Sequence, residues 1–190
     1  MNDEQLRRLS ELLQARNAID ERISAIIQRP MTAGHAGEWI AAEIFGIMLE
    51  RSASARAIDG HFTSGPLSGR TVNVKWYLKQ ESVLDVSEGA APDYYLVLAG
   101  PRPSALTSQG ATRPWCVESV YLFDAKRLID ELRGRRVKIG IAASVLKAQW
   151  TAAEIYPRAN NALVTVRPDQ AQLLRLFAPD VIAAPSADGS

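Results

Sequence analysis

Three short stretches of β-strand character lie close together between residues 55 and 99, and their spacing limits the folds open to this chain. They are ARAIDGHF at 55–62, TVNVKWYL at 71–78 and DYYLVLA at 93–99. Each is rich in the β-branched and aromatic residues that are enriched in strands. The gaps between them are too short for the helical crossovers that join parallel neighbours. The sequence therefore predicts a mixed sheet with antiparallel pairs.

Helical patterns flank these strands. Residues 4–28 contain strong helix formers without glycine or proline, and Pro30 ends that run. Residues 32–37, TAGHAG, are predicted as a turn with Thr32 as a candidate cap. A second helix, apolar on most of its circumference, is predicted from Gly37 to Arg51. Beyond it, the patterns predict a loop at 100–114, a strand at 115–123 and a helix at 125–135. They then predict a strand or a buried extended segment at 137–144, a strand at 162–166 and a short helix at 168–177. The predicted fold is an α/β sandwich with a central mixed sheet, preceded by a long N-terminal helix.

The chain of 190 residues is long enough for one domain with a helical appendage. We predict an N-terminal helix at 1–29, an α/β domain at 30–180 and a disordered tail at 181–190. In the N-terminal helix, six positions recur at spacings of three and four, as they do in paired helices. These positions are Leu9, Leu12, Arg16, Ile19, Ile23 and Ile26. Two interpretations remain open: the helix joins two copies as a homodimer, or it packs on its own domain.

The composition favours an intracellular location and says little about partners. The single cysteine, Cys116, excludes an internal disulfide framework, and the charged first residues do not resemble a secretory signal. Apolar runs are too short to span a membrane, so we expect a cytoplasmic protein without a membrane partner. The net charge is only +1, but residues 126–138 hold six Lys or Arg against Asp130 and Glu131. That segment either contacts phosphate or is a solvated helix end.

Three polar residues in the β-rich region form a candidate site. Asp59 lies in the first β segment, and Asn73 and Lys75 are two residues apart in the second. Side chains two residues apart on a strand share a face. We therefore expect Asn73 and Lys75 to face a cleft or solvent, while the apolar residues between and beside them pack into the core. Pairing of the two strands would bring Asp59 next to Asn73.

These residue types suit metal-dependent hydrolysis of a phosphodiester. A hard divalent ion such as Mg²⁺ or Mn²⁺ prefers oxygen ligands, which Asp59, the Asn73 amide and the Val74 backbone carbonyl can supply. Such an ion polarises the scissile phosphate and makes a bound water more acidic. Lys75 can orient that water and stabilise the charge that develops on the phosphate oxygens. The alternative is structural, with Asp59 as a turn residue and Lys75 as a surface lysine on an edge strand.

The order of GHAGEWIAAEIF, AIDG and VNVKW resembles the core of the PD-(D/E)XK nuclease superfamily, over residues 34–100. In that superfamily a glutamate on the first core helix precedes an aspartate on one strand and a (D/E)-X-K triplet on the next. Glu38 matches the helix glutamate, with Glu43 as a second candidate about 140° away around the helix. Asp59 matches the motif aspartate and Lys75 the motif lysine. The resemblance implies a restriction-endonuclease-like fold and a metal-dependent DNA endonuclease in which Glu38 joins the metal ligands.

Asn73 departs from this pattern, which has Asp or Glu at the corresponding position. The departure removes one negative charge from the metal site and should weaken metal binding. One hypothesis is an active DNA endonuclease, for example of restriction type. A second is a catalytically degenerate module of the same fold that binds nucleic acid or a protein partner. A third is an unrelated α/β interaction protein in which the motif is accidental.

Overall fold

A computed structural model of the chain describes residues 3–50, 57–89, 91–102 and 113–179. Its helices are α1 (Asp3–Ile27), α2 (Ala33–Phe45), α3 (Ala125–Gly134), α4 (Lys147–Ala153) and α5 (Pro168–Arg175). Its strands are β1 (Ile47–Leu49), β2 (Gly60–Phe62), β3 (Thr71–Tyr77), β4 (Val83–Leu84), β5 (Tyr94–Ala99), β6 (Ser119–Asp124), β7 (Ala143–Ser144) and β8 (Glu154–Tyr156). The predicted tail at 181–190 and most of the predicted loop at 100–114 lie outside the described residues.

Six strands form a central sheet in the order β1-β2-β3-β5-β6-β8. Neighbours pair antiparallel except β3 and β5, which run parallel. The parallel pair is joined by residues 78–93, which carry β4, and β4 pairs with β7 in a separate two-stranded sheet. The predicted α/β class, with a mixed central sheet and a long N-terminal helix, is therefore confirmed.

Helices cover both faces of the central sheet. On the first face, α2, α5 and the end of α1 contribute the buried residues Ile27, Ala36, Ile40, Ala41, Ile44, Phe45 and Leu174. On the second face, α3, α4 and the β4–β7 sheet contribute Leu84, Leu128, Ile129, Leu132, Ala143, Trp150 and Ala153. In the described ranges no helix is both long and apolar enough to cross a membrane.

The second helix ends earlier than its apolar pattern predicts. It also begins earlier, at Ala33 and not at Gly37, because Thr32 caps it, with the side chain accepting a hydrogen bond from His35 N–H. The prediction of a turn at 32–37 is therefore wrong, while Thr32 is the cap that the sequence indicates. At the other end Gly46 adopts a left-handed conformation with φ of 66°, and β1 follows directly. A glycine in this conformation commonly ends a helix. The prediction that the helix continues to Arg51 is therefore wrong, because the apolar residues after Gly46 belong to a buried strand.

The C-terminal half differs from the sequence prediction in three places. The segment at 137–144, predicted as a strand or a buried extended segment, pairs only at Ala143–Ser144, and 162–166 forms no strand. The pattern also failed to indicate α4 and β8. Trp150 fixes α4, since its ring packs edge-on against Tyr121 and Phe123 with centroid distances of 4.8 and 5.0 Å. Helix α4 has only seven residues, which is too short for a hydrophobic period to be recognised in the sequence.

Gly60, the first residue of β2, is required by a close backbone contact. A Cβ atom there would lie 2.4 Å from the Met48 carbonyl oxygen and 2.9 Å from Ile47 Cγ2. We expect Gly60→Ala to lower the free energy of unfolding by roughly 1–3 kcal/mol, because the β1 backbone must move. Urea denaturation measures this, with Gly134→Ala as the control, since a Cβ at Gly134 meets nothing within 4 Å. Equal stability losses in the two variants would contradict the steric explanation.

Candidate functional site

Asp59 is held at the end of the β2–β3 pairing by three hydrogen bonds. Its N–H donates to Val72 O at 2.9 Å, and its carbonyl accepts from Glu50 N–H at 2.8 Å. Because Gly60 also pairs with Val72, two successive residues lie opposite one, which is the arrangement of a β-bulge. A bulge redirects the side chain, and Asp59 Oδ2 accepts a hydrogen bond from Val74 N–H at 2.7 Å. The carboxylate is therefore fixed against β3.

Val74 lies on β3 just beyond the end of its pairing with β2, next to a gap on that side of the strand. The β2–β3 register joins Gly60 to Val72 and His61 to Thr71, and it does not extend to Val74. Peptide groups of successive strand residues point to alternate sides, so the N–H and C=O of Val74 both point toward this gap. The Asp59 carboxylate already binds the N–H there. A carboxylate and a backbone carbonyl thus border the same space.

Asn73 is more buried than expected, with 4% of its surface exposed. Strand β3 lies inside the sheet, and Tyr95, the β5 neighbour of Asn73, belongs to the core of the second face. In the described part of the chain, Asn73 Oδ1 has no hydrogen-bond partner. Buried polar atoms are rarely left in that state, because the lost hydration costs free energy. This amide oxygen is therefore available to a ligand.

Lys75 and Glu38 approach Asp59 from opposite faces of the sheet. Lys75 is half-buried and aligned with Val97, a core residue of the second face. Glu38 belongs to α2, which packs on the first face. Its neighbour Gly37 lies so close to β3 that a Cβ there would be 2.7 Å from Trp76 Cβ. This contact holds Glu38 beside the strand that carries Asn73 and Lys75.

The pKa of Asp59 shows which charges act on it. Burial raises this pKa above its ordinary value, and the hydrogen bond from Val74 N–H opposes that effect. The Glu38 carboxylate raises the pKa further, whereas Lys75 and Arg29 lower it. Glu38, Asp59 and Lys75 therefore form one electrostatic cluster. Glu43, the second candidate for the helix glutamate, is exposed.

Arg29 is a member of this cluster that no sequence pattern indicates. It follows α1, and its guanidinium Nη1 forms an ion pair with Glu38 Oε2. The Glu38 side chain is only 15% exposed, so Arg29 balances a largely buried charge. Contact between these residues depends on how the chain turns at Pro30, and that turn cannot be read from residue types alone.

The donor atoms around Asp59 fit a hard divalent cation, with few charged ligands. Within the described ranges, no group of three or more His, Cys, Asp or Glu side chains is placed to hold a metal. A site here would use the Asp59 carboxylate, the Asn73 amide oxygen, the Val74 carbonyl and Glu38. Mg²⁺ is commonly held by one or two carboxylates together with water and substrate phosphate. The unpartnered Asn73 Oδ1 is the observation that supports the fit.

Three of the six cations in the basic segment at 126–138 form ion pairs with carboxylates. Lys126 pairs with Asp130 at 2.8 Å and Arg127 with Glu131 at 2.8 Å, both one helical turn apart. The other two engaged cations are Arg133, which pairs with Glu88, and Arg135, which binds Gln149 Oε1 and Ser144 O. The segment therefore fits a solvated helix end better than a phosphate-binding surface.

A cavity of about 440 Å³ lies away from Asp59, between α3, α4 and residues 160–163. Its polar side chains already bind one another, since Glu131 accepts hydrogen bonds from Arg127 and Gln149. None of the candidate site residues lines this cavity. Its groups are saturated, and the cluster around Asp59 remains the stronger candidate for chemistry.

No protein-family model matches the chain, and no curated protein matches it. Its function therefore has to be inferred from the residues around Asp59.

Proposed function

We propose that this chain is a metal-dependent phosphodiesterase that hydrolyses the nucleic-acid backbone, a DNA endonuclease of restriction-endonuclease-like fold. The observation that supports the proposal is the hydrogen bond from Val74 N–H to Asp59 Oδ2 at 2.7 Å, which fixes the carboxylate against the strand that carries Asn73 and Lys75. A helix glutamate, a strand aspartate and a strand lysine near one another are what the resemblance to PD-(D/E)XK nucleases requires. DNA as the substrate, and the cytoplasm as the location, belong to the same proposal.

Each residue of the cluster has a role that follows from its contacts. Asp59 binds Val74 N–H through Oδ2 and would bind the metal through Oδ1. With Asn73 Oδ1, the Val74 carbonyl and Glu38, it would hold Mg²⁺ or Mn²⁺. Such an ion supplies a polarised phosphate and a more acidic water. Lys75 donates to the phosphate oxygens and stabilises their developing charge.

Arg29 sets a condition on the role of Glu38. The Glu38 carboxylate is occupied by Arg29, so it must exchange that partner for the metal or bind both. Arg29 is 42% exposed, which allows its side chain to turn toward solvent or toward substrate phosphate. The lost charge at Asn73 and the occupied Glu38 together imply weaker metal affinity than a site with three free carboxylates has.

The proposal is tested by incubating the full-length protein with supercoiled plasmid, linear duplex and single-stranded DNA. Each substrate is combined with MgCl₂, MnCl₂ or a chelator, and products are separated on gels. We expect cleavage that requires the divalent ion and stops with the chelator. Metal-independent cleavage would contradict the proposed chemistry. Absence of cleavage across many plasmid sequences would favour the second candidate function.

The second candidate is a non-catalytic module of the same fold that binds nucleic acid or a protein partner. It is favoured by Asn73 at the position of a motif acid, and by the ion pair that already neutralises Glu38. Calorimetric titration with MnCl₂ separates the two candidates. Heat of binding that disappears in Asp59→Ala supports the enzyme, and DNA binding without any metal response supports the module.

The choice of helix glutamate gives a prediction with an internal control. We expect Glu38→Gln to weaken Mn²⁺ binding by about tenfold, because the site loses one of its few negative charges. Glu43→Gln, a matched change on the exposed side of α2, should leave the affinity unchanged. Titration calorimetry of both variants gives the comparison. An equal loss in the two variants would show that Glu38 has no special place at the metal.

A further inference from the structure

The N-terminal part of α1 extends beyond the domain that its C-terminal end contacts. Ile27 is the buried residue of this helix and Ile23 packs against the core, whereas every residue from 3 to 19 is exposed. At 1.5 Å per residue, this overhang is roughly 25 Å long. Isolated helices of such a length are marginally stable in water, so most need packing on an apolar face.

The overhang has an apolar face that the described domain leaves uncovered. Leu6, Leu9 and Leu13 are exposed by 51%, 52% and 50%. Continued at spacings of three and four, their stripe passes through Arg16 and Asp20, which form an ion pair at 3.5 Å, and reaches Ile23 and Ile27, which pack on the domain. The exposed stripe is therefore the direct continuation of an interface that the chain already makes. An exposed apolar stripe of this kind is a surface on which another helix can pack.

We propose that the free part of this stripe pairs with α1 of a second copy of the chain, in antiparallel orientation. Positions 6, 9, 13 and 16 are symmetric about residue 11, so an antiparallel pair aligns 9 with 13 and 6 with 16. Leu9 then meets Leu13 of the second copy, and the two contacts are related by a two-fold axis. A stripe that matches itself in this way forms a closed dimer.

Sterics select the antiparallel orientation. The domain occupies the stripe at Ile23 and Ile27. A parallel second helix would have to pass through that space, whereas an antiparallel one ends before it.

The size of the pairing predicts its strength. About half of the 17 overhanging residues on each copy can face the other helix, which is fewer than the roughly 20–30 residues a side of a standard interface. We therefore expect a dimer that dissociates on dilution. This inference does not depend on the proposed nuclease function, because it rests on a different part of the molecule.

The test is sedimentation velocity of the full-length protein over a range of concentrations. We expect monomer and dimer in exchange, and a roughly hundredfold weaker dimer for Leu9→Asp, which places two charges in the small interface. Gln14→Asp changes an exposed residue off the stripe and should dimerise like the wild type. A wild type that stays monomeric, or equal effects of the two variants, would overturn the proposal.

Disulfide cross-linking tests the orientation. Leu9→Cys and Leu13→Cys are prepared separately, oxidised alone and then oxidised as a mixture. Antiparallel helices predict efficient cross-linking only in the mixture, because position 9 faces position 13. Efficient cross-linking of either variant with itself would overturn the antiparallel arrangement.

Discussion

Replacing Lys75 by alanine is expected to reduce metal-dependent DNA cleavage by roughly 10²–10³-fold, the usual effect of removing one group that stabilises developing charge. Lys75 is half-buried, and its charge acts on Asp59, so it lies where a phosphate bound beside Asp59 would meet it. The fold should survive, because the core side of β3 is formed by Val72, Val74 and Trp76. Initial rates of plasmid relaxation under excess MnCl₂ give the measurement.

Lys79 provides the matched control for this substitution. It lies two residues beyond β3 and pairs with Glu81. Lys79→Ala removes the same charge and the same side chain from the same part of the molecule, and should cleave DNA at the wild-type rate. If Lys75→Ala retains its activity, or if both variants lose it equally, Lys75 is not part of the site. Circular dichroism melts of both proteins exclude unfolding as the cause.

Asp59→Asn is expected to abolish the response to metal and, in the same protein, to raise the melting temperature at neutral pH by roughly a few degrees. Burial raises the pKa of Asp59 in the folded state. Folding therefore loses stability as the pH rises from the ordinary pKa of an aspartate through the raised value. Asparagine carries no charge, and its amide oxygen can still accept the hydrogen bond from Val74 N–H, so it avoids that loss.

The pH dependence distinguishes this explanation from a simple packing effect. Below the ordinary pKa of aspartate both proteins are uncharged at this position, and the difference in melting temperature should vanish. Melts at acid and neutral pH, with and without MgCl₂, test both parts of the prediction. A wild type stabilised by Mg²⁺ and a variant that is not would agree with a metal at Asp59. A variant less stable than the wild type at neutral pH would contradict the inference that the buried Asp59 carboxylate lowers the stability of the folded state.

The parts of the site that follow from strand periodicity could be predicted from sequence. The alternation in TVNVKWY assigns Val72, Val74 and Trp76 to one face, and the structure buries all three in one core. The Thr32 cap likewise follows from residue type, because a threonine before a helical run has one preferred role. In these cases the local pattern and the tertiary packing require the same arrangement.

Other features depend on pairings that no local pattern records. The bulge at Asp59 arises because Asp59 and Gly60 both face Val72, which is decided by the register of two strands. The end of α2 at Gly46 is hidden by the apolar residues that follow, since they suit a buried helix and a buried strand equally. Arg29 reaches Glu38 across a turn, and its role appears only when the helices are placed in space.

The edges of the central sheet are short. The edge strands β1 and β8 have three residues each, and Pro157, which has no amide hydrogen, follows β8 directly. Such edges offer few free peptide groups on which another chain could add a strand. The short edges therefore hinder the addition of strands from other molecules to the sheet. In concentrated solutions we therefore expect reversible contacts between side chains, such as those on α1, and no fibrous aggregates.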